Sequence, residues 1–394
     1  MVKIGVKGFE LKIALVTDTY FPRINGVSTS TQIFAEEFTK LGHEVHIYAP
    51  AFPNSIDENH SFKIYRFPSM YLFFDPEDRL GMPGKAPKLV QQFIDNKYDI
   101  VHTQTPFTIG KPAVQWARQS GAKVVHTYHT LFAAYVEHYL WFLPKVLSIW
   151  YAKSTSRRYC DSCDLIITPS TEMKNVLSSY NVSKPIEVIP TGIRLERFEG
   201  RDGRRYRQSN GYKPEDKLLL FMGRVAEEKN IDFLLKVVNR LKDKVPNIKF
   251  LIAGEGAAKK RLEKMVDDLQ LNNIVHFAGY LSKDNWRDCY AGADLFVFAS
   301  VTETQGLVVT EAMAAGTPVV AVGEMGIKDV LASNQGGLVT RLDEDEFTDA
   351  VYRMLTDQRL YDQKKSETLA EADKWSSTSM AKRMIAAYEQ LLKA

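Results

Sequence analysis

The stretch ADLFVFASVTETQGLVVTEAMAAGTPVV, Ala293 to Val320, holds a strand, a loop, a helix and the start of another strand. ADLFVFAS (Ala293 to Ser300) is a short apolar run of the kind that a parallel sheet buries on both faces. LVVTEAMAA (Leu307 to Ala315) carries helix formers up to a Gly-Thr-Pro stop at Gly316. This succession predicts an α/β sheet with the loop at the carboxyl end of the strand. Glu303 falls in that loop and Glu311 on the helix, eight positions apart. Open α/β sheets bind ligands at this edge, and the N–H groups of Gly306, Leu307 and Val308 would form a positive helix N-terminus beside both acids. A polyhydroxylated, phosphorylated ligand suits such a place.

Working outward, the same alternation fills the second half of the chain. KLLLFMG, IKFLIAG, IVHFAG and TPVVAV read as strands, with amphipathic helices from Ile231, Ala257 and Lys283. The first half repeats it from LKIALVT (Leu11 to Thr17) and a helix at about Ser28 to Leu41, through HEVHIYAP, FKIYRF, YDIVHT, AKVVHTY, DLIITPS and PIEVIP. At 394 residues, 45% hydrophobic and 25% charged, the chain has a globular composition and the length of two domains. The expectation is two Rossmann-like, doubly wound α/β domains facing across a cleft. They would span residues 1–196 and 197–374, with a final helix in 375–394 returning to the N-terminal domain.

Composition excludes several classes. A net charge of only +3 is too weak for a general nucleic-acid binder. The three cysteines, Cys160, Cys163 and Cys289, cannot build a disulfide framework, and Cys160-x-x-Cys163 lacks a second pair for zinc, so ordinary packing is expected. No charged-then-apolar segment opens the sequence, which predicts a cytoplasmic protein. No run reaches the roughly 18 apolar residues that cross a bilayer, so any membrane contact would be peripheral, at the cytoplasmic face.

The loops narrow the chemistry. Nicotinamide enzymes carry G-x-G-x-x-G after a first strand; Gly254-Glu255-Gly256 comes nearest, but Lys259 stands at the third glycine, and a tight strand-to-helix turn is the better reading. No phosphate-loop lysine motif occurs. After the strand KLLLFMG come Arg224 and Lys229, a planar fork and a compact charge able to clamp a diphosphate leaving group. Asn25-Gly26-Val27 follows the first strand, where Gly26 either turns the chain or lets backbone N–H groups approach a phosphate. His129 ends the strand AKVVHTYHT and is a site candidate by its place at a strand end.

These motifs, NGVS, TYHT, IPTGI, GRVAEEKN and E-x7-E followed by AMAAGTPVV, occur in one order over nearly the whole chain. In this the sequence resembles the family-4 retaining glycosyltransferases of GT-B architecture. The resemblance implies a sugar nucleotide held mainly by the second domain and an acceptor held mainly by the first. It implies that Arg224 and Lys229 hold the diphosphate with Gly26 reaching it from the other domain, and that Glu311 binds the ribose hydroxyls. Glu303 and the backbone of Gln305, Gly306 and Leu307 would hold the transferred sugar, with His129 near its hydroxymethyl group. The family commonly has an aromatic residue where this chain has Gln305. Retention there resembles a same-face substitution in which the leaving phosphate takes the acceptor proton. Glu303 is then a stabiliser of a cationic sugar, and neither a metal nor another cofactor is expected. Asp343-Glu344-Asp345 instead opens a helix, where acids suit the dipole.

Two segments speak to the acceptor. MYLFF, with Met70, Tyr71, Phe73 and Phe74, reads as a loop without strand or helix period, followed by Lys85 and Lys88. Trp141 to Tyr159 sets WFLPKVLSIWY against Lys145, Lys153, Arg157 and Arg158 with no acid. Aromatics with cations suit a protein that lies on an anionic membrane surface. The stripe Leu143, Val146, Leu147 and Trp150 would equally suit a helix packed inward. TYHTLF and ETQGL look like bacterial diacylglycerol glycosyltransferases, which implies hexose transfer, expected to be glucose, from a UDP-sugar to a membrane lipid, expected to be diacylglycerol. The alternatives are a soluble retaining transferase for a metabolite or polysaccharide and a non-hydrolysing sugar-nucleotide epimerase. A glycoside hydrolase would leave Arg224 and Lys229 idle. A catalytically dead binding module would keep the fold without turnover.

Overall fold

The structure is a computed structural model that describes residues 10–23, 25–53, 60–72, 75–129, 145–282 and 285–394. Two compact units result: Met1–Gly192 with Met380–Ala394, and Ile193–Ser379.

In the first unit a seven-stranded sheet runs in the order β3-β2-β1-β6-β7-β8-β9. Its strands are β1 (Lys12–Val16), β2 (Glu44–Pro50), β3 (Lys63–Phe67), β6 (Ile100–Thr103), β7 (Lys123–Thr127), β8 (Leu165–Thr168) and β9 (Ile186–Val188). All neighbouring pairs are parallel. Strand side chains alternate between faces, and the two faces serve two cores. Ile13 and Leu15 of β1 pack with Phe34 and Phe38, while Ala14 and Val16 pack with Tyr48 and Trp116. Helices α1 (Gly26–Lys40), α2 (Pro87–Asp95), α3 (Gly110–Ser120), α4 (Lys145–Asp161) and α5 (Thr171–Ser179) complete the layers.

Residues 69–72 differ from the expected loop: β4 (Ser69–Leu72) pairs antiparallel with β5 (Asp75–Gly81), Met70 opposite Leu80 and Tyr71 opposite Arg79. The sequence hides this hairpin because Met70 and Tyr71 are both exposed, so no buried face imposes a period of two.

On helix α4 Trp150 is 64% exposed and does not pack inward as the stripe predicts, while Leu143 and the side chains of Val146 and Leu147 lie outside the described residues. Among the described side chains of α4, Ala152, Ser156, Tyr159 and Cys160 are buried. Cys160 and Cys163 pack in the core, and burial pushes both thiols up.

The second unit has a six-stranded sheet in the order β12-β11-β10-β13-β14-β15. These are β10 (Lys217–Met222), β11 (Ile248–Ala253), β12 (Val275–Gly279), β13 (Leu295–Phe298), β14 (Val319–Val322) and β15 (Gly337–Thr340), all parallel. Leu218 to Phe221 of β10 are fully buried, each side chain contributing about 2 kcal/mol by leaving water. The helices are α6 (Gly203–Ser209), α7 (Ile231–Leu241), α8 (Lys259–Asp268), α9 (Asn285–Gly292), α10 (Leu307–Ala314), α11 (Gly326–Val330), α12 (Glu344–Thr356) and α13 (Gln358–Lys374). Asp343 caps α12 by accepting from Glu346 N at 2.9 Å, so the acidic triplet opens a helix.

The last helix, α14 (Ser377–Lys393), places Met380, Met384 and Tyr388 in the first unit's core, where Tyr388 Oη lies 2.5 Å from His102 Nδ1. Among the described residues no helix is long and apolar enough to cross a membrane.

Candidate active site

In the second unit the strand order reverses between β10 and β13, and in such sheets the loops leaving the two strands at a reversal form the ligand crevice. Those loops are residues 223–230 and 299–306. Three contacts tie them together: Asn230 Nδ2 donates to Ala299 O at 3.0 Å, Ser300 Oγ to Glu228 O at 3.2 Å, and Lys229 Nζ to Glu303 Oε2 at 2.6 Å. Asn230 adopts a left-handed conformation (φ 50°) that turns the chain into α7. The ammonium also lies 5.8 Å from the Phe298 ring centre. Lys229 is 14% and Glu303 25% exposed by side chain, so the pair is shielded without being sealed from water.

Arg224 lies in the same loop but is 70% exposed and pairs with Glu228 at 2.9 Å. Arg224 and Lys229 thus leave the same loop, and it is Lys229 that contacts Glu303. Beneath them, the Gly254-Glu255-Gly256 turn packs against the 223–225 backbone. A Cβ on Gly254 would stand 1.9 Å from Gly223 O, and one on Gly256 2.1 Å from Val225 O. The glycines of that near-fingerprint serve close packing of two loops.

Gly306 (φ +71°) turns the chain into α10, and a Cβ there would meet Ile327 Cδ1 at 2.9 Å. The 303–306 loop is held from the other side by Gly326 N, which donates to Glu303 O at 2.9 Å, and a Cβ on Gly326 would strike Thr304 and Gln305 at 2.5 to 2.6 Å. The loop thus presents Gln305, Gly306 and the N–H groups of Leu307 and Val308 at the helix start, a positive end suited to oxygen ligands. Glu311 sits further along α10, part-buried, and accepts from Tyr290 Oη at 3.1 Å. Burial pushes its carboxyl up, while the Tyr290 hydrogen bond and the Arg197 charge pull it back.

The first unit has its own reversal, between β1 and β6. Gly26 opens α1 there, with Asn25 as cap: Asn25 Oδ1 accepts from Ser28 N at 2.8 Å, and a Cβ on Gly26 would meet nothing within 4 Å. Sequence reasoning missed Asp18. This buried carboxylate, just after β1, accepts from Thr105 Oγ1 at 2.7 Å, Phe107 N at 3.1 Å, Thr108 Oγ1 at 3.1 Å, Ile109 N at 2.6 Å and Gly110 N at 3.3 Å. It fixes the loop after β6, and the acid directly following an apolar strand in LVTD is the signal that could have found it.

His129 Nε2 lies 2.8 Å from Gln104 Oε1. With the amide oxygen as partner the proton rests on Nε2 and Nδ1 keeps its lone pair. Burial lowers the imidazole to about 4, so the ring is neutral near pH 7.

Of the surface residues, Met70, Tyr71, Trp150, Lys85, Lys88 and Lys153 are exposed. Arg79 lies 5.7 Å from the Tyr71 ring centre and Lys153 Nζ 5.4 Å from that of Tyr180. Phe73, Phe74 and Trp141 lie outside the described residues, as does the Lys145 side chain at the start of α4.

Two doubly wound parallel sheets, the second with a paired lysine and glutamate at its strand-order reversal, have the architecture of the GT-B fold. Residues 24–197 match the family model Glycosyltransferase Family 4 and residues 202–374 the model Glycosyl transferases group 1. The chain is similar to alpha-monoglucosyldiacylglycerol synthase of Streptococcus pneumoniae, 32% identical over 83% of this chain and 74% of that protein. It is 26% identical to the protein of the same name in Acholeplasma laidlawii, over 79% of this chain and 80% of that one. Among solved structures, Anabaena HepE in complex with UDP superimposes with a TM-score of 0.74 at 17% identity, over 96% of this chain and all of the other. The chain belongs to the family-4, group-1 glycosyltransferases.

Proposed function

We propose that the protein transfers glucose from UDP-glucose to diacylglycerol with retention of configuration and without a metal, working peripherally on an anionic membrane at its cytoplasmic face. The observation that carries this reading is the Lys229–Glu303 pair at 2.6 Å on the strand-order reversal, beside the α10 N-terminus. A rim of this kind offers cations for a diphosphate and carboxylates for hydroxyl groups within one loop pair. The name of the Streptococcus pneumoniae relative supports the glucosyl donor and the diacylglycerol acceptor. The UDP bound in Anabaena HepE supports the nucleotide.

In this reading Lys229 and Arg224 take up the charge that grows on the diphosphate as its bond to the sugar C1 breaks. The acceptor hydroxyl bonds to C1 on the same face, and its proton passes to the departing phosphate oxygen. Glu303 and the backbone of Gln305, Gly306 and Leu307 hold the sugar, with Val308 at the helix start, and Glu311 holds the ribose. Gly26 serves the diphosphate and neutral His129 the sugar's hydroxymethyl group. Exposed Met70, Tyr71 and Trp150, with Lys85, Lys88 and Lys153, supply apolar and cationic contacts for the membrane surface.

A donor screen tests the proposal. Purified protein is incubated with UDP-glucose, UDP-galactose or GDP-mannose, with and without lipid extract, and products are weighed by mass spectrometry. A hexosyl-diacylglycerol formed from UDP-glucose only when lipid is present is the expected result. Transfer to a water-soluble acceptor in the absence of lipid, or conversion of the donor alone, would replace it with the polysaccharide or epimerase reading.

A further inference from the structure

We infer that Tyr290 is a positioning residue for the nucleotide ribose: its hydroxyl fixes the Glu311 carboxylate in the orientation that accepts the two ribose hydroxyls. The inference rests on the assignment of Glu311 to the ribose made above. Tyr290 lies on α9, fully buried. Its ring meets Trp286 edge-on, with centres 5.9 Å apart at 87°, and tilts against Phe296 at 5.6 Å. Its backbone oxygen accepts from Thr317 Oγ1 at 2.6 Å. The phenol therefore has no room to swing, and its hydroxyl is delivered to Glu311 Oε2 at 3.1 Å by packing that exists before any ligand arrives.

The stereochemistry of the carboxylate makes that contact useful. An ionised carboxylate offers about four lone-pair directions, and a vicinal diol needs two of them, one per hydroxyl. Tyr290 occupies part of Oε2, and among the described residues Oε1 receives no protein donor. The carboxylate plane is thus set by Tyr290, with Oε1 left to face a ligand. Arg197, whose guanidinium carbon lies 4.7 Å from the Trp286 ring centre, adds a cation on the same aromatic wall; burial pushes the Glu311 carboxyl up, and the Tyr290 hydrogen bond and this charge oppose that push. Burial pushes the Tyr290 phenol up, so it stays protonated and can only donate to this acid at working pH. Twenty-one positions separate the two residues in sequence, and the link exists only because α9 and α10 flank β13.

The test uses Tyr290→Phe, which keeps the ring and removes the hydroxyl, beside Glu311→Ala and the double variant. Each is assayed for kcat and KM with UDP-glucose and with its 2′-deoxyribose analogue, and for Tm. Tyr290→Phe is expected to raise KM for UDP-glucose about ten-fold with kcat within about two-fold, the size of one hydrogen bond to a charged group. It should also lower the preference for ribose over 2′-deoxyribose, and the double variant should be no worse than Glu311→Ala alone. An unchanged ribose preference in Tyr290→Phe, with Glu311→Ala abolishing it, would overturn the role of Tyr290 and leave the ribose assignment standing. A ribose preference that survives Glu311→Ala would overturn the assignment itself.

Discussion

Replacing Lys229 by methionine keeps the apolar stem and deletes the charge, which separates two roles the lysine could have. As half of an ion pair with Glu303 at 2.6 Å, it contributes to folding. The pair is neither fully exposed, where such pairs give up to about 1 kcal/mol, nor sealed, where breaking one costs about 3 to 5 kcal/mol. With Glu303 still able to reach water, the loss should be about 1 to 2 kcal/mol, or roughly 2 to 8 °C in Tm for a unit of this size. As a clamp on the leaving diphosphate it has a larger effect, because a donor aimed at charge that develops in the transition state is worth about 100- to 1,000-fold in kcat. Turnover at 25 °C with UDP-glucose and diacylglycerol vesicles, measured beside thermal unfolding, reads both quantities on one preparation. The expected result is a kcat loss of at least about 100-fold with a modest drop in Tm. A kcat within about five-fold of the parent, whatever happens to Tm, would show that Lys229 only holds Glu303 and would refute its place at the diphosphate.

Three further outcomes follow from the structure. A Cβ on Gly110 would stand 1.8 Å from Thr105 O while one on Gly26 meets open space, so Gly110→Ala should lose the soluble fold, and Gly26→Ala should keep its Tm yet lose about ten-fold or more in kcat/KM. Circular dichroism and kinetics check both. Burial depresses His126 to about 3, His129 to about 4 and His102 well below the usual 6.5, so between about pH 4 and 6.5 the unfolded chain binds more protons. Stability should be full above pH 6.5 and fall as pH drops through that window, by at most about 1.4 kcal/mol per pH unit per histidine, and His126→Gln should flatten the slope of the urea midpoint. Trp150→Ser should weaken partition to anionic vesicles roughly thirty-fold through about 2 kcal/mol of lost apolar contact, and Lys153→Gln roughly five-fold, with UDP binding unchanged.

How much the sequence shows depends on how far apart the partners lie. The strand, loop and helix from Ala293 to Val320 are legible because an apolar run, a Gly306 turn and a Gly-Thr-Pro stop are local signals. The motif order then carries the family, and with it the roles proposed for Glu303, Glu311 and Lys229. The Asp18 clamp is not legible, because its donors come from residues 87 to 92 positions further on. The same holds for Asn230 on Ala299, 69 positions away, and for Tyr290 beneath Glu311. Helix α4 is legible only in part: among its described side chains Ala152, Ser156, Tyr159 and Cys160 are buried while Trp150 points to solvent.

The most direct test of the central claim is the anomeric configuration of the lipid product. UDP-glucose carries an α linkage, so the retaining reaction on diacylglycerol vesicles, run in excess chelator, should give α-glucosyl-diacylglycerol by proton coupling in the NMR spectrum. A β-linked product, free glucose as the sole product, or no transfer without added metal would contradict it.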